Sequence, residues 1–178
     1  MHTFSRILAG ALLLVAPAAF AQSTATVSNV PVSARIYVPI SLNKIADLSF
    51  GDIFATSTGG DVTLNPQGGT RSTAGPALAT TGTVSAAAFT VGGKRNATYA
   101  ITLPADGTVS LSGPGTAMPV SKFTASVSNG APAAAATGLI PNSAGATQSF
   151  TVGGTLTLGA NQTDGDYTGT FNVTVAYN

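Results

Sequence analysis

The last fourteen residues of the chain, GDYTGTFNVTVAYN at 165–178, alternate without a break between two kinds of side chain. The larger apolar and aromatic side chains take the odd positions: Tyr167, Phe171, Val173, Val175 and Tyr177. Because successive residues of a strand point to opposite faces, this period of two predicts a half-buried β-strand that runs to the C-terminus. Chain ends usually fray, so this segment constrains the fold more than any other.

The same alternation continues through most of the chain. Apolar residues at the even positions from 36 to 42 predict a strand there, and similar runs follow at intervals of roughly ten residues, separated by Gly, Pro and Asn. No stretch has the 3.6-residue apolar period of a helix. Proline and glycine within and around the Ala-rich run at 131–138 predict a loop there. The sequence therefore predicts an all-β domain, either a sandwich or a barrel.

The first 21 residues have the three parts of an export signal. Arg6 precedes the apolar run ILAGALLLVA, and Ala19-Phe20-Ala21 forms a small-residue cleavage site. The apolar run is too short to span a bilayer, and we expect no membrane insertion after cleavage. Removal of residues 1–21 leaves 178 − 21 = 157 residues, with 7 − 1 = 6 Lys and Arg against 6 Asp. A formal net charge of zero gives no field to attract nucleic acid, and it favours self-association.

The residue types that carry most catalytic chemistry are missing from the mature chain. It has no Cys or Glu, and the only histidine, His2, lies in the signal. This removes the usual general base, metal ligands and thiol nucleophile. Asp164 and Asp166 flank Gly165, and this spacing predicts an Asp-Gly turn rather than a Ca²⁺ loop. We therefore expect no catalytic residues, no metal and no cofactor, and predict that the protein is not an enzyme.

The start of the mature chain, residues 22–33, is an uncharged segment with the pattern of an extended strand. It holds two alternations out of phase, and a change of phase sends side chains to the opposite face. Ala25 and Val27 take odd positions, whereas Val30 and Val32 take even ones on either side of Pro31. The segment need not pair with its own domain, which we expect to span residues 34–178. The alternative is a disordered remnant of processing.

A secreted all-β domain with a strand-like N-terminal extension resembles the subunits of chaperone–usher pili. Pilins of this class carry a penultimate tyrosine and a glycine fourteen residues from the end, and Tyr177 and Gly165 occupy these positions. The resemblance implies an incomplete immunoglobulin-like β-sandwich, completed by a donor strand from a neighbouring subunit through β-augmentation. The best-known pilins carry a disulfide, so the chain resembles a cysteine-free, less-studied branch.

Three stretches are also similar to a family of bacterial secreted domains of unknown function. They are VPISLNKIADLSFGDI, AFTVGGKRNATYAITLP and GDYTGTFNVTVAYN. We expect the members of this family to be pilins of the less-studied branches.

The resemblance to pilins also implies partners and a location. The partners are identical subunits joined head to tail in an open filament, with a periplasmic chaperone and an outer-membrane usher during assembly. The protein is expected to pass through the periplasm to the cell surface as a structural, shaft subunit of a pilus (fimbrium) that supports adhesion or biofilm formation. The alternative function is a self-contained secreted module that binds carbohydrate or another surface.

The resemblance finally implies a site of two parts, and the sequence leaves open which of the two N-terminal alternations inserts. The candidate donor-strand residues are Ala25, Val27, Val30 and Val32. The candidate residues for the acceptor groove and chaperone contact are Ile36, Val38, Ile40, Gly165, Phe171, Val173, Val175, Tyr177 and Asn178.

Overall fold

The computed structural model describes residues 23–178, and the predicted signal and Gln22 lie outside this part. The described residues form strands, turns and loops without a helix, which confirms the predicted all-β class. The strands are β1 (Ser41–Ala46), β2 (Ser49–Phe50), β3 (Ile53–Phe54), β4 (Gly60–Leu64), β5 (Arg71–Ala74), β6 (Ala77–Leu78), β7 (Val84–Ser85), β8 (Ala87–Gly92), β9 (Thr98–Thr102), β10 (Val109–Leu111), β11 (Met118–Val127), β12 (Ala136–Leu139), β13 (Thr147–Leu158) and β14 (Thr174–Tyr177).

The main sheet has seven antiparallel strands and is centred on β13. On one side β13 pairs with β11, which continues to β10. On the other side residues 147–152 of β13 pair with β8, and residues 154–158 pair with β4. The change of partner falls at Gly153, where a side chain would collide with the backbone oxygen of Leu64. β8 pairs in turn with β1, and β4 pairs with β5.

A smaller sheet has the strand order β12–β9–β14, and two short ladders join β2 to β7 and β3 to β6. Tyr99 and Ile101 of β9 belong to the same buried core as Phe150 and Val152 of β13. Within this core the rings of Phe89 and Phe150 stack with their centroids 5.1 Å apart. The inward faces of the two sheets thus share one core, which is consistent with a β-sandwich.

Three strand boundaries differ from those predicted from the sequence. The first strand begins at Ser41 instead of residue 36 because Pro39 has no N–H to give to a ladder. Residues 136–138 of the predicted loop belong to β12, which pairs with β9. The terminal strand is regular only over Thr174–Tyr177 because its partner β9 ends at Thr102. The compact unit spans Ile36–Asn178, against the predicted domain of 34–178.

Candidate functional site: an open apolar groove

An open cavity of about 800 Å³ is lined by the main sheet and by two segments, residues 44–55 and 162–173. The apolar side chains contributed by the sheet come from β8, β10, β11 and β13, and they belong to the hydrophobic core. Among them are Phe89, Val120, Phe123, Leu156 and Leu158. The cavity therefore exposes part of the core, and its volume lies in the range of ligand-binding clefts. We call it the groove.

The C-terminal segment forms one wall of the groove, and its faces are those predicted from the sequence. From residue 171 onward the odd positions are half-buried and the even positions are exposed. Phe171 and Val173 line the groove, and the ring of Phe171 lies 5.3 Å from that of Phe123. Val175 and Tyr177 pack against the same core along β14. The predicted inward face is thus confirmed, although residues 169–173 join no ladder.

The backbone of this segment has one bonded side and one open side. Asn178 donates its N–H to the oxygen of Thr98 at 3.2 Å, and Thr168 exchanges two hydrogen bonds with Ser112. Residues of an antiparallel strand bond to one neighbour at every second position. The even-numbered residues therefore face the bonded side, and the odd-numbered residues, such as Phe171 and Val173, turn their N–H and C=O groups away.

On that second side β14 has no partner strand among the described residues. We call residues 169–177, seen from this side, the open edge. Unpaired backbone groups of this kind are a template for another strand. The groove thus lacks apolar contacts and the open edge lacks hydrogen-bond partners. The two features meet at Phe171 and Val173.

The second wall of the groove, residues 44–55, is held in place by Arg71 of β5. Its guanidinium donates from Nη1 to the backbone oxygens of Phe50 at 2.5 Å and Asp52 at 2.9 Å, and from Nη2 to that of Ala79 at 2.7 Å. The rigid fork of an arginine suits such a set of acceptors, and a lysine has no equivalent geometry. Phe50 is buried and lines the groove, so Arg71 positions an apolar residue of this wall through the backbone.

The loop before the open edge is fixed by Tyr167. Its hydroxyl donates to the oxygen of Thr163 at 2.8 Å and accepts from the N–H of Gly115 at 3.0 Å. Gly165 has a φ of 133° and packs on Pro114, so that a Cβ at this position would collide with the proline ring. Both the backbone conformation and the close contact require glycine. The glycine fourteen residues from the end therefore has a structural reason in this chain.

Tyr177 joins the end of the chain to the beginning of the compact unit. Its hydroxyl donates to the oxygen of Val38 at 2.8 Å and accepts from the N–H of Lys94 at 2.7 Å. The ammonium group of Lys94 lies 5.1 Å from the centroid of the Tyr37 ring, a cation–π distance. Gly93 leaves room for the hydroxyl, since a Cβ there would collide with it. We call these contacts the Tyr177 clasp.

The structure brings together the C-terminal part of the predicted groove. Gly165, Phe171 and Val173 line the groove, and the remaining predicted C-terminal residues continue the same segment beside β9. These are Val175, Tyr177 and Asn178.

The predicted N-terminal part of the groove lies elsewhere. Ile36, Val38 and Ile40 are not among the residues that line it. Ile36 and Val38 are 93% and 54% exposed in a segment without strand pairing, and Ile40 is half-buried against the core. Pro39 interrupts the predicted strand at this point, so the alternation does not bring these side chains into the groove, although the backbone oxygen of Val38 accepts from the hydroxyl of Tyr177. Residues 44–55 line the groove in their place.

The candidate donor residues lie in residues 23–35, which contain no strand and are exposed throughout. Val27, Val30 and Val32 are 82%, 64% and 94% exposed, and Ala25 is exposed as well. Exposed aliphatic side chains grouped in one uncharged segment are typical of an interaction site.

Sequence reasoning missed the wall at 44–55 and the part played by Arg71. The stretch ADLSFGDIF at 46–54 has the composition of a strand, and the structure splits it into β2 and β3 on separate partners. Arg71 is recognisable only as one of a few basic residues, because its three acceptors are assembled by tertiary packing. No local pattern marks the contacts of Arg71.

Neither a metal-binding cluster nor a membrane-spanning helix is found in residues 23–178. No group of three or more His, Cys, Asp or Glu in this part is placed to hold a metal ion, and none of its segments forms a helix long and apolar enough to cross a bilayer. Burial raises the pKa of Tyr99 to about 12, and its hydroxyl donates to Oε1 of Gln148 at 2.9 Å. Tyr99 thus acts as a neutral part of the core.

Comparison with known proteins assigns a family. Residues 40–177 match the model of the family described as domain of unknown function DUF4402. This is 177 − 40 + 1 = 138 of the 178 residues, so the chain belongs to this family. The match agrees with the resemblance to a family of domains of unknown function. Comparison with curated proteins and with solved structures gave no match.

Proposed function

We propose that this protein is a structural, shaft-type subunit of a surface pilus that polymerises by donor-strand exchange. The observation that carries the proposal is the coincidence of the groove with the open edge of residues 169–177. An inserted strand would supply apolar side chains to the groove and hydrogen-bond partners to the open edge. The same chain carries an uncharged segment with exposed valines that suits this role.

Insertion of the N-terminal segment of a second copy sets two favourable free-energy terms against one unfavourable term. Full burial of a valine contributes about 1.5–3 kcal/mol, so three valines contribute about 4.5–9 kcal/mol. New backbone hydrogen bonds add about 0.5–1.5 kcal/mol each. These gains oppose the conformational entropy lost when the segment is ordered, about 1–2 kcal/mol for each backbone residue fixed. The balance is close, which explains the need for both apolar contacts and a backbone ladder.

The geometry of the exchange leads to a filament. Donor segment and groove are different surfaces, so each contact joins the head of one copy to the tail of the next and leaves both ends of the product open. A mature chain of zero formal net charge does not oppose such packing by repulsion. We infer export through the periplasm, with a chaperone covering the groove and an usher at the outer membrane until the donor segment arrives, and a role in adhesion or biofilm formation.

Deletion of residues 22–33 tests the proposal in cells that produce the full precursor. The expected result is loss of surface fibres by electron microscopy, with the shortened chain still exported, because the groove is intact and only the donor is missing. A matched control replaces the segment with Gly and Ser residues of the same length. Fibres that persist after deletion, or a full mature chain that is a stable lone monomer, would refute the proposal and favour the self-contained binding module.

A further inference from the structure

We propose, resting on the function above, that residues 25–32 enter the groove of the next copy as one bulged strand. Ala25, Val27, Val30 and Val32 then all point into the groove, and the bulge lies at Asn29. The two out-of-phase alternations are thus not alternatives, because together they form a single inward face.

The position of the phase change agrees with a bulge. Val27 and Val30 are three residues apart, so they lie on opposite faces of a regular strand. One extra residue between them returns both to the same face. Asn29, which lies between them, has a φ of 62°, the left-handed conformation found at the first position of one bulge type. After glycine, asparagine is among the residues that tolerate this conformation best.

The hydrogen-bond phase of the open edge agrees with the same arrangement. Its odd-numbered residues point their side chains inward and their backbone groups toward the missing strand. In an antiparallel pair, residues directly opposite one another share a face, and every second such pair exchanges hydrogen bonds. The odd-numbered residues of the open edge belong to the bonded pairs, because their backbone groups face the missing strand. The donor residues that point inward therefore also bond to the open edge.

Pro31 fits this phase. With Val30 and Val32 inward, Pro31 points outward, and its missing N–H lies on the side away from the open edge. In a parallel pair the outward residues of the donor would bond to the open edge, so Pro31 would lose a hydrogen bond there. Residues 25–32 thus hold their one proline at a position where an antiparallel ladder with the open edge is uninterrupted.

Length and charge are also compatible. Residues 25–32 count as seven strand positions once the bulge is subtracted, about 23 Å at about 3.3 Å per residue. The open edge has nine residues and is about 30 Å long by the same measure. The first charged residue after the cleavage site is Arg35, beyond the inserted stretch.

Single carboxylates placed along the segment test the face assignment in the full precursor. The inward set is Val27→Asp, Val30→Asp and Val32→Asp, and the outward controls are Thr26→Asp and Ser33→Asp. All five positions are exposed in the free chain, so the monomer should fold and be exported alike. Polymer and monomer are separated by sedimentation, and fibres are counted by electron microscopy. We expect each inward variant to lower the polymer-to-monomer ratio at least about tenfold, since a carboxylate would be desolvated, and each control to stay within about twofold.

Substitutions at Asn29 test the bulge itself. Asn29→Gly should assemble like the parent chain because glycine adopts positive φ freely, whereas Asn29→Val should lower the polymer yield about tenfold because a β-branched residue resists it.

The possible outcomes separate this inference from the proposed function. If deletion of residues 22–33 abolishes fibres but Val27→Asp or Val32→Asp assembles normally, only one alternation inserts, and the inference is wrong while the function stands. Outward variants that fail as badly as inward ones would overturn the face assignment. An Asn29→Val variant that assembles normally would rule out the bulge. If deletion has no effect, the proposed function fails and the inference fails with it.

Discussion

Replacing Val173 with aspartate tests the groove at a residue that is half-buried in the monomer and that the proposed donor strand would cover. In the free monomer the introduced carboxylate stays hydrated at the open cavity. The expected loss in free energy of unfolding is about 1 kcal/mol, roughly half the value for burying a valine completely. In the assembled state the carboxylate would lose its water. The substitution should therefore affect assembly far more than folding.

The effect on the free energy of assembly follows from protonation, which removes the charge at the smallest free-energy cost. Protonating an aspartate of pKa about 3.9 costs about 1.4 kcal/mol per pH unit, and hence about 4 kcal/mol at pH 7. The lost valine contact adds about 1–2 kcal/mol. The sum of about 5–6 kcal/mol corresponds to about a 10⁴-fold weaker assembly equilibrium. Assembly raises the pKa of the introduced carboxyl, so the assembly equilibrium is weakened most above that raised pKa. As the pH falls from there toward about pH 4, this weakening of the equilibrium constant decreases about tenfold per pH unit.

The assay is the polymer fraction of purified mature chain, measured by sedimentation from about pH 4 to about pH 8, with secreted monomer as the measure of export. Asn172→Asp is the matched control, since it places the same charge one residue away on the exposed face. It should assemble like the parent chain at every pH. The reasoning is refuted if the two variants assemble equally at pH 7, or if the deficit of Val173→Asp does not shrink in acid.

Two further substitutions and one pH dependence concern the scaffold around the groove. Tyr177→Phe removes both hydrogen bonds of the clasp, with Val38 and Lys94, and should lower the free energy of unfolding by about 1–3 kcal/mol in urea denaturation. Arg71→Lys replaces the planar guanidinium with an ammonium group that has no fork to bond all three carbonyls. We expect a loss of about 1–3 kcal/mol in the free energy of unfolding and faster amide exchange over residues 50–54. Tyr99 has its pKa raised to about 12 by burial, so its contribution should be complete below pH 10 and lost as the pH rises through about 12.

Each of these has a control. Thr174→Val removes a hydroxyl from the exposed face of the same strand, so it should leave the stability near that of the parent chain, and an equal loss in both variants would contradict the clasp. Lys122→Arg is a charge-conserving change on an exposed side chain, and it should not alter exchange at residues 50–54. Between about pH 10 and about pH 12 the stability of Tyr99→Phe should fall less than that of the parent chain. A variant whose stability falls as much as that of the parent chain would rule out Tyr99 as the source.

The extent to which the sequence predicts this structure depends on how local each feature is. The inward face of residues 171–177 is predicted correctly because alternation is a property of the strand itself. The extent of the ladder is not, since residues 169–173 need a partner that β9 does not reach. The all-β class follows from the period of two and from frequent glycine and proline. The start of β1 was misplaced because the alternation from 36 to 42 hides the effect of Pro39.

The groove shows the same division. Gly165 is predicted from its spacing relative to the chain end, Phe171 and Val173 are predicted from the alternation of the terminal strand, and all three line the groove. The opposite wall depends on which distant segments meet, and Arg71 contacts residues 19 and 21 positions earlier in the chain. A single sequence carries no signal for contacts of that kind.

The Tyr177 clasp has a mechanical consequence. Tension along a filament built as proposed would enter each subunit through its N-terminal segment at Val38 and leave through the neighbour's strand laid against the open edge. Because the hydroxyl of Tyr177 bonds the backbone at Val38, these two points of load lie on the same terminal strand. Part of the force would then run along β14 in shear, against several hydrogen bonds at once, and the rest would follow the backbone from Val38 into β1.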